Sequence, residues 1–593
     1  MPTIKSWIAL LAIAAPLVAA SFSTVIEDDV DIYVSIRSLA ESRSQWETHP
    51  IAEVIENPQL QAFFEPLFQS EAELEDEESF TEVLKNDFGL TWDEVFELFP
   101  GQVTIACFNV PELILKQAER PELVILAEYA GEPDQLTELM QVQFERNAEE
   151  QQAINPAIEH TMIEETFMGE TLHFDETFDG EQTYIEDGYA LVEGIFILAT
   201  PEDRLRSAVE AIKDKPEDAL AENSAYLRSR EEGGRGDLEV YFNLEAIMPP
   251  LNTSLIGQLM QSGAFMLGLN AESLNTMLSL ESLQAFFFDI DLIEAGAQSH
   301  GGILYREKVG LLSLMTYTDA PLPEARFVPN GVFSSSITNF DLGEMLTQLE
   351  TLLVSASPNL RAQIDSQMQM MQTNTGVDLR SAVLGNFAGD LVSLSILPEG
   401  GREGSEILEP DQVFIIALED AEALSGALEA FKDLAPGVRE QILTQEFAGQ
   451  TICTFNAVPS PNITAASPRA LSYVITRSHL ILSIGRVGLL QEVLSRMESG
   501  ESGFWQETET EDLFAMVERP HAVSRSYIDL EKLVIPIFQS IAQTSQLGGD
   551  ATALDMERIP QELSVPFYLI TETNAASDGL FSRSLILPRE DSK

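Results

Sequence analysis

One acidic segment has the residue types, and nearly the spacing, of a calcium-binding loop. Across residues 175–186, positions 1, 3, 5, 6 and 12 of a twelve-residue loop fall on Asp175, Thr177, Asp179, Gly180 and Glu186. However, threonine is a weak ligand, position 8 lacks the usual apolar residue, and both flanks have strand-like patterns rather than helical ones. The alternative is an acidic hairpin that turns at Asp179-Gly180. Both interpretations stay open, and we assign no metal-binding residue.

The six histidines form no close pair of the H-x-H or H-E-x-x-H type, so a zinc site is not indicated. Two of them, His173 and His479, lie in strand-like runs and are expected to be structural. The others are His49, His160, His300 and His521.

The motifs that usually mark a hydrolase or a nucleotide enzyme are absent from the sequence. There is no G-x-S-x-G, no G-x-x-x-x-G-K-[ST] and no G-x-G-x-x-G. Carboxylates are so abundant that no Asp/Glu pair stands out as a glycosidase dyad. The sequence therefore identifies no catalytic and no cofactor-binding residue, predicts no cofactor, and favours a protein that is not an enzyme.

Two cysteines, Cys107 and Cys453, lie in apolar, strand-like runs. An exported protein could join them in a disulfide. They fall at different places in the two repeats described below, which favours two buried free thiols.

Alternating apolar residues predict strands, and apolar residues at helical spacing predict helices. The predicted strands are 32–36, 103–108, 123–129, 171–174, 189–199, 238–244, 284–292, 302–306, 309–315, 567–571 and 580–587. Helical patterns cover 50–99, begin again at 136–144, and start a third time at Thr200, the expected N-cap, with Pro201 at the first helical position.

Three segment pairs repeat in the same order, about 280–288 positions apart. The pairs begin at Phe88 and Thr375, at Glu165 and Gln445, and at Val240 and Ser526. We therefore predict an α+β fold of two tandem homologous units, each a mainly antiparallel sheet with helices packed on one face. The expected boundaries are 21–318 and 331–593, separated by a proline-rich joint at 319–330.

The composition is that of a globular protein with a strong acidic excess. Apolar residues make up 45% and charged residues 22%, and 97 acidic against 33 basic residues give a formal net charge of −64. Such a charge disfavours binding to nucleic acid or to anionic membranes. It also suits a salt-rich environment, although an acidic protein from any source is an equally good explanation.

The first twenty residues have the pattern of a secretory signal peptide. Lys5 precedes a short apolar run, and the small or slim residues Val18 and Ala20 at the −3 and −1 positions predict cleavage before Ser21. An uncleaved anchor is the alternative, but the run is short for a membrane span. Because no later stretch is long enough to span, we expect a periplasmic or secreted bacterial protein without a transmembrane segment.

Several of these blocks resemble a family of exported bacterial proteins of unknown function, the DUF3352-type proteins. The resembling segments are 30–36, 89–103, 123–129 and 189–201, and similar blocks recur in the second repeat. The resemblance implies an exported, non-enzymatic protein. It brings no known active site, so no functional residue is carried over.

Three functions remain open on the sequence alone. The first is a binding or scaffolding protein with an unknown protein or small-molecule partner. The second is a carrier of an apolar ligand such as a lipid, suggested by the apolar stretch 255–280 with its methionines and by the aromatic strand 286–288. That hypothesis requires a cavity of at least about 300 Å³. The third is an unrecognised hydrolase.

Overall fold

The computed structural model describes residues 21–58, 90–118, 120–178, 180–216, 218–234, 236–262, 269–294, 296–397, 410–434, 436–455, 470–533 and 564–589. Tertiary contacts divide the chain into two compact units. The first comprises Met1–Ser254 and Leu283–Tyr305, and the second comprises Leu255–Ser282 and Arg306–Lys593. The joint at 319–330 and the ends of the two repeats stay predictions from the sequence.

The first unit is built on an antiparallel sheet. Its strands, within the described residues, are β1 (Ile32–Ile36), β2 (Val103–Cys107), β3 (Leu123–Glu128), β4 (Glu159–Phe167), β5 (Glu170–Phe178), β6 (Thr183–Val192), β7 (Ile195–Thr200), β8 (Leu238–Asn243), β9 (Leu283–Ile293) and β10 (Gly296–Tyr305). Their order across the sheet is β10-β9-β8-β1-β2-β3-β7-β6-β5-β4. In register, Val34 of β1 lies between Ile105 and Val240.

Helices follow the strands along the first part of the chain. They are α1 (Leu39–Trp46), α2 (Pro50–Ile55), α3 (Trp92–Leu98), α4 (Val110–Ile114), α5 (Pro133–Ile154), α6 (Glu202–Asp214), α7 (Ser224–Gly233) and α8 (Leu244–Gln261). Proline at the first position of α2 and of α5 fixes a helical φ where no backbone donor is needed.

Helices pack on both faces of this sheet, whereas the sequence predicted helices on one face. Phe196 of β7 packs in a core with Leu136 and Met140 of α5. Phe174, which faces the other way from its neighbour His173, lies 5.3 Å from the Arg206 guanidinium of α6. The one-face prediction is wrong because central strands such as β3 are buried almost throughout, so both of their faces need a cover.

The second unit is also built on an antiparallel sheet. Its described strands are β11 (Ser334–Asn339), β12 (Phe387–Ile396), β13 (Asp411–Leu418), β14 (Ile442–Phe447), β15 (Gln450–Phe455), β16 (Ala470–Ile475), β17 (His479–Gly485), β18 (Ala522–Asp529), β19 (Phe567–Ala576) and β20 (Gly579–Pro588). Their order is β20-β19-β18-β11-β12-β13-β17-β16-β15-β14. This is the order of the first sheet, strand for strand.

The helices of the second unit again cover apolar strands. They are α9 (Ala271–Leu278), α10 (Leu342–Ala356), α11 (Pro358–Thr375), α12 (Leu379–Ala382), α13 (Ala421–Leu434), α14 (Pro436–Arg439), α15 (Val487–Ser499) and α16 (Thr508–Ala515). Helix α15 buries Leu490 and Val493 against β13 and β17. A separate cluster joins Leu424 of α13 to Tyr473 and Cys453.

The mixed α+β class is confirmed, but two local predictions are wrong. The segment 309–315 is not a strand; it contains the short 3-10 helix Gly310–Leu314, which begins at a left-handed residue, Gly310, with φ 56°. Helix α6 begins at Glu202, with Pro201 rather than Thr200 as its N-cap. Thr200 instead ends β7 and pairs with Leu123.

Candidate functional site

The first unit contains a cavity of about 350 Å³ between α5 and the sheet, which we call the helix–sheet cavity. Strands β3 to β7 form its floor, and the part of α5 from Met140 to Ile154 forms its roof. Residues spaced three and four apart on α5 line it because they share one face of the helix. They include Met140, Phe144, Asn147 and Gln151.

Apolar side chains make up most of the cavity wall. Leu123, Ile125 and Leu198 come from the paired strands β3 and β7, and Met162 comes from β4. At the end of α5, Ile154 also lines the cavity and is 86% exposed.

One end of the cavity is polar and lies on β5 and β6. The His173 ring stacks on Tyr189, with ring centroids 4.6 Å apart and planes 8° from parallel. Burial lowers the pKa of His173, and the nearby Glu164 carboxylate opposes this effect. Burial also raises the pKa of Tyr189 to about 12. At neutral pH both rings are therefore uncharged.

A buried histidine–aspartate pair stands behind this polar end. His160 Nδ1 is 3.0 Å from Asp175 Oδ1 and 3.0 Å from Thr177 Oγ1. Asp175 lines the cavity, and in the neutral imidazole that donates from Nδ1 to its carboxylate, Nε2 of His160 is an acceptor. That Nε2 is buried and has no hydrogen-bond partner among the described residues.

Gln143 places an unsatisfied acceptor in the cavity wall itself. The residue lies on α5, is 6% exposed, and donates from Nε2 to Asn147 Oδ1 at 3.3 Å. Its Oε1 is buried and meets no hydrogen-bond donor within the described part of the chain. Buried polar groups in proteins are usually hydrogen-bonded, so an unsatisfied one beside a cavity is a candidate ligand contact.

The segment that resembled a calcium loop lies on two paired strands. Asp175 and Thr177 belong to β5, and β6 begins at Thr183, as in the hairpin alternative. The carboxylate of Asp175 faces His160. Asp179 lies outside the described residues.

A cross-strand group in the same unit was not evident from the sequence. Potential ligand atoms of Asp289, Asp291 and His300 lie within 4.8 Å of one another. However, His300 Nδ1 is 2.9 Å from Asp289 Oδ1, and His300 Nε2 is 3.0 Å from the amide nitrogen of Gln298. Hydrogen bonds thus occupy both ring nitrogens, and the group is explained as a structural network. Sequence spacing missed it because Asp289 and His300 are partners across β9 and β10.

Both cysteines are free thiols. Cys107 is partly buried on β2, and burial raises the pKa of its thiol to about 11. Cys453 is buried on β15, with its Sγ 3.9 Å from Lys432 Nζ. The apolar stretch 255–280 that suggested a ligand groove is described in part, with Met260 on α8 and Met277 on α9. The helix–sheet cavity is lined by other residues.

Comparison with known proteins gives little further information. No protein-family model and no curated protein matches the chain. Three crystal forms of TP0453, forms I, III and IV, are similar at 9%, 9% and 11% sequence identity, each with a TM-score of 0.21. The matches cover 49%, 50% and 50% of this chain and 80%, 81% and 83% of TP0453. Likeness at this level supports no conclusion about function.

Within the described residues, no helix combines the length and the apolar character needed to cross a membrane.

Proposed function

We propose that this chain is an exported, non-enzymatic binding protein whose first unit holds an apolar small molecule in the helix–sheet cavity. The observation that carries the proposal is the cavity itself, with its apolar walls and its few polar groups at one end. Its volume of about 350 Å³ falls within the range of small-molecule sites, about 300–1,000 Å³.

The driving force would be the removal of apolar ligand surface from water. Each buried methylene group contributes about 0.8 kcal/mol, so even a short alkyl chain gives a useful affinity. The wall formed by Leu123, Ile125 and Leu198 offers only dispersion contacts, which suits a flexible or aromatic apolar body.

Export is supported by the sequence alone. Residues 1–20, the expected signal peptide, lie outside the described residues. The acidic charge of the chain suits a hydrated surface in a periplasmic or extracellular solution.

Gene duplication is the origin that we propose for the two units. Their strand orders agree, and one repeated sequence pair forms the same tight turn in both. Met168 and Gly169 join β4 to β5 with φ 51° and 86°, and Ala448 and Gly449 join β14 to β15 with φ 48° and 69°. A two-residue hairpin loop with two positive φ values requires a specific backbone conformation, so its presence at the matching place in both units supports a common origin.

Binding of N-phenyl-1-naphthylamine, a neutral fluorescent probe, tests the proposed function. We expect saturable fluorescence enhancement with the full chain, and about tenfold weaker binding in Ile158→Trp, which fills the cavity edge. Ile55→Trp is the matched control because Ile55 is 49% exposed on α2, away from the cavity. Absence of saturable binding, or equal loss in both variants, would contradict the proposal.

A further inference from the structure

The wall of the helix–sheet cavity holds one buried hydrogen-bond acceptor that lacks a donor. Gln143 Oε1 meets no donor among the described residues, and the residue as a whole is 6% exposed. A ligand that donates a hydrogen bond would satisfy this oxygen. A ligand with only acceptors would leave it unpaired and so lose affinity.

The His160–Asp175 pair also favours a ligand that donates a hydrogen bond. His160 Nδ1 lies within hydrogen-bond distance of Asp175 Oδ1, and in the neutral ring that donates from Nδ1 to this carboxylate, Nε2 carries only a lone pair. This nitrogen also has no partner among the described residues. The His160 side chain is completely buried, and its cross-strand partner on β5 is Thr177, two residues after Asp175 of the cavity wall.

Charge at the cavity disfavours an anionic ligand. Among the described lining residues, three are carboxylates, Glu150, Asp175 and Asp187, and one, Arg120, is cationic. Glu150 is neutralised by Arg146, whose Nε lies 2.9 Å from its Oε1. A carboxylate ligand entering this site would meet like charges and several acceptors, whereas a hydroxyl or ammonium group would meet partners.

We infer that the occupant of the helix–sheet cavity is an apolar molecule whose polar end is a hydrogen-bond donor, an alcohol or an amine rather than a carboxylic acid. This inference rests on the proposed function, since it names the ligand class of the same cavity. Gln143 is the residue that accepts the hydrogen bond of the ligand.

Three competitors of equal chain length test the ligand class. Decanol, decylamine and decanoate are titrated separately against full-length protein that carries bound N-phenyl-1-naphthylamine. Decanol and decylamine should displace the probe at about tenfold lower concentrations than decanoate. If decanoate competes as well as decanol, the inference about the ligand class is contradicted, but the proposed function is not. If the probe itself does not bind, the proposed function is contradicted.

Gln143→Leu tests the residue, and Gln141→Leu is its matched control. Gln141 is exposed on the same helix and donates from Nε2 to Oε1 of the exposed Glu145 at 2.8 Å. Gln143→Leu should weaken decanol about three- to tenfold and leave decanoate unchanged, and Gln141→Leu should alter neither. Undiminished decanol binding in a folded Gln143→Leu protein would overturn the assignment. The competitor ranking in the unaltered protein still decides the ligand class if that variant does not fold.

Discussion

At the scale of single residues, Asp31 shows how burial changes the pKa of a carboxyl group. Its side chain is buried, and Oδ2 accepts a hydrogen bond from the Val110 backbone N–H at 2.9 Å. Burial raises the pKa of Asp31 to about 7; the Val110 hydrogen bond opposes the rise, and the charges of Glu112 and Asp29 add to it. A carboxyl group in the unfolded chain has a pKa of about 4.

The Asp31→Asn variant should show how this pKa affects stability. The folded state holds the proton more tightly, so the free energy of unfolding falls as pH rises from about 4 to about 7 and is level above. Asparagine can accept the same Val110 hydrogen bond and carries no charge. We expect the variant to be about 2–4 kcal/mol more stable than the natural chain at pH 8, and about half as much more stable at pH 5.5, midway through this range.

Urea unfolding at constant ionic strength measures this effect. Glu210→Gln, which removes an exposed charge from α6, serves as the control and should not alter the pH dependence. Identical pH dependence in Asp31→Asn and the natural chain would contradict the role assigned to Asp31. Both pH values lie well above the sequence pI of about 4.2. At the pI itself the net charge would be near zero, and aggregation would interfere with the measurement.

At the scale of elements, two glycines of the second unit should respond oppositely to alanine. A Cβ at Gly503 would overlap the backbone carbonyl oxygens of Arg326 and Val328, where the 3-10 helix Phe504–Gln506 begins. Gly426 lies within α13, and a Cβ there would meet open space. The same chemical change is therefore a steric clash at one site and a gain in helix propensity at the other.

We predict that Gly503→Ala lowers the free energy of unfolding by about 1–3 kcal/mol and that Gly426→Ala raises it by about 0.5–1 kcal/mol. The midpoints of urea unfolding, measured on the two variants in parallel, check both values. Destabilisation by Gly426→Ala, or a neutral Gly503→Ala, would show that the packing around these glycines differs from the one described.

The sequence predicted those strands that bury a regular apolar pattern. Strand β1 was predicted with its observed limits because it pairs on both sides and its residues are largely buried. Strand β4 was missed because its residues are mostly exposed, and it pairs with β5 without an apolar alternation to mark it. Tertiary pairing, which a local pattern does not encode, makes β4 a strand.

The helix–sheet cavity could not be predicted because its residues look like those of any core. Ile125, Phe144 and Leu198 would fill space equally well in a closed interior, and the distance between α5 and the sheet decides the difference. One signal was available: the face of α5 changes from Leu136 and Met140 to polar residues such as Asn147. Such a change along one helix face indicates that the later turns do not face an ordinary core.

At the scale of the whole molecule, the two units differ where the first has its cavity. The repeat that aligns Leu172 with Ile452 places His173 opposite Cys453. Each pairs with a tyrosine, His173 with Tyr189 and Cys453 with Tyr473. In the second unit, Lys432 Nζ lies 5.5 Å from the Tyr473 ring and is close to Cys453. The second unit thus has a cysteine at the place of the histidine, with a lysine from α13 beside it.

The net charge of −64 is also a property of the whole chain, and it predicts a strong dependence of stability on salt. Repulsion between carboxylates acts over a Debye length of about 30 Å at 0.01 M salt and only about 8 Å at 0.15 M. Folding brings these charges together, so their repulsion opposes the compact state most at low salt. The thermal unfolding midpoint at pH 7 should therefore rise markedly between these two NaCl concentrations.

Calcium chloride at matched ionic strength separates screening from specific binding. If screening dominates, most of the rise in the midpoint appears with NaCl as readily as with CaCl₂. Micromolar Ca²⁺ screens almost nothing, so a large rise at that concentration would mean specific binding and would return attention to the hairpin that includes Asp175. A midpoint indifferent to both salts would mean that the carboxylates are spaced or paired well enough not to repel. Ion pairs such as those of Arg204 with Glu27, Asp29 and Glu122 would then have to be representative of the surface, and adaptation to salt would no longer explain the composition.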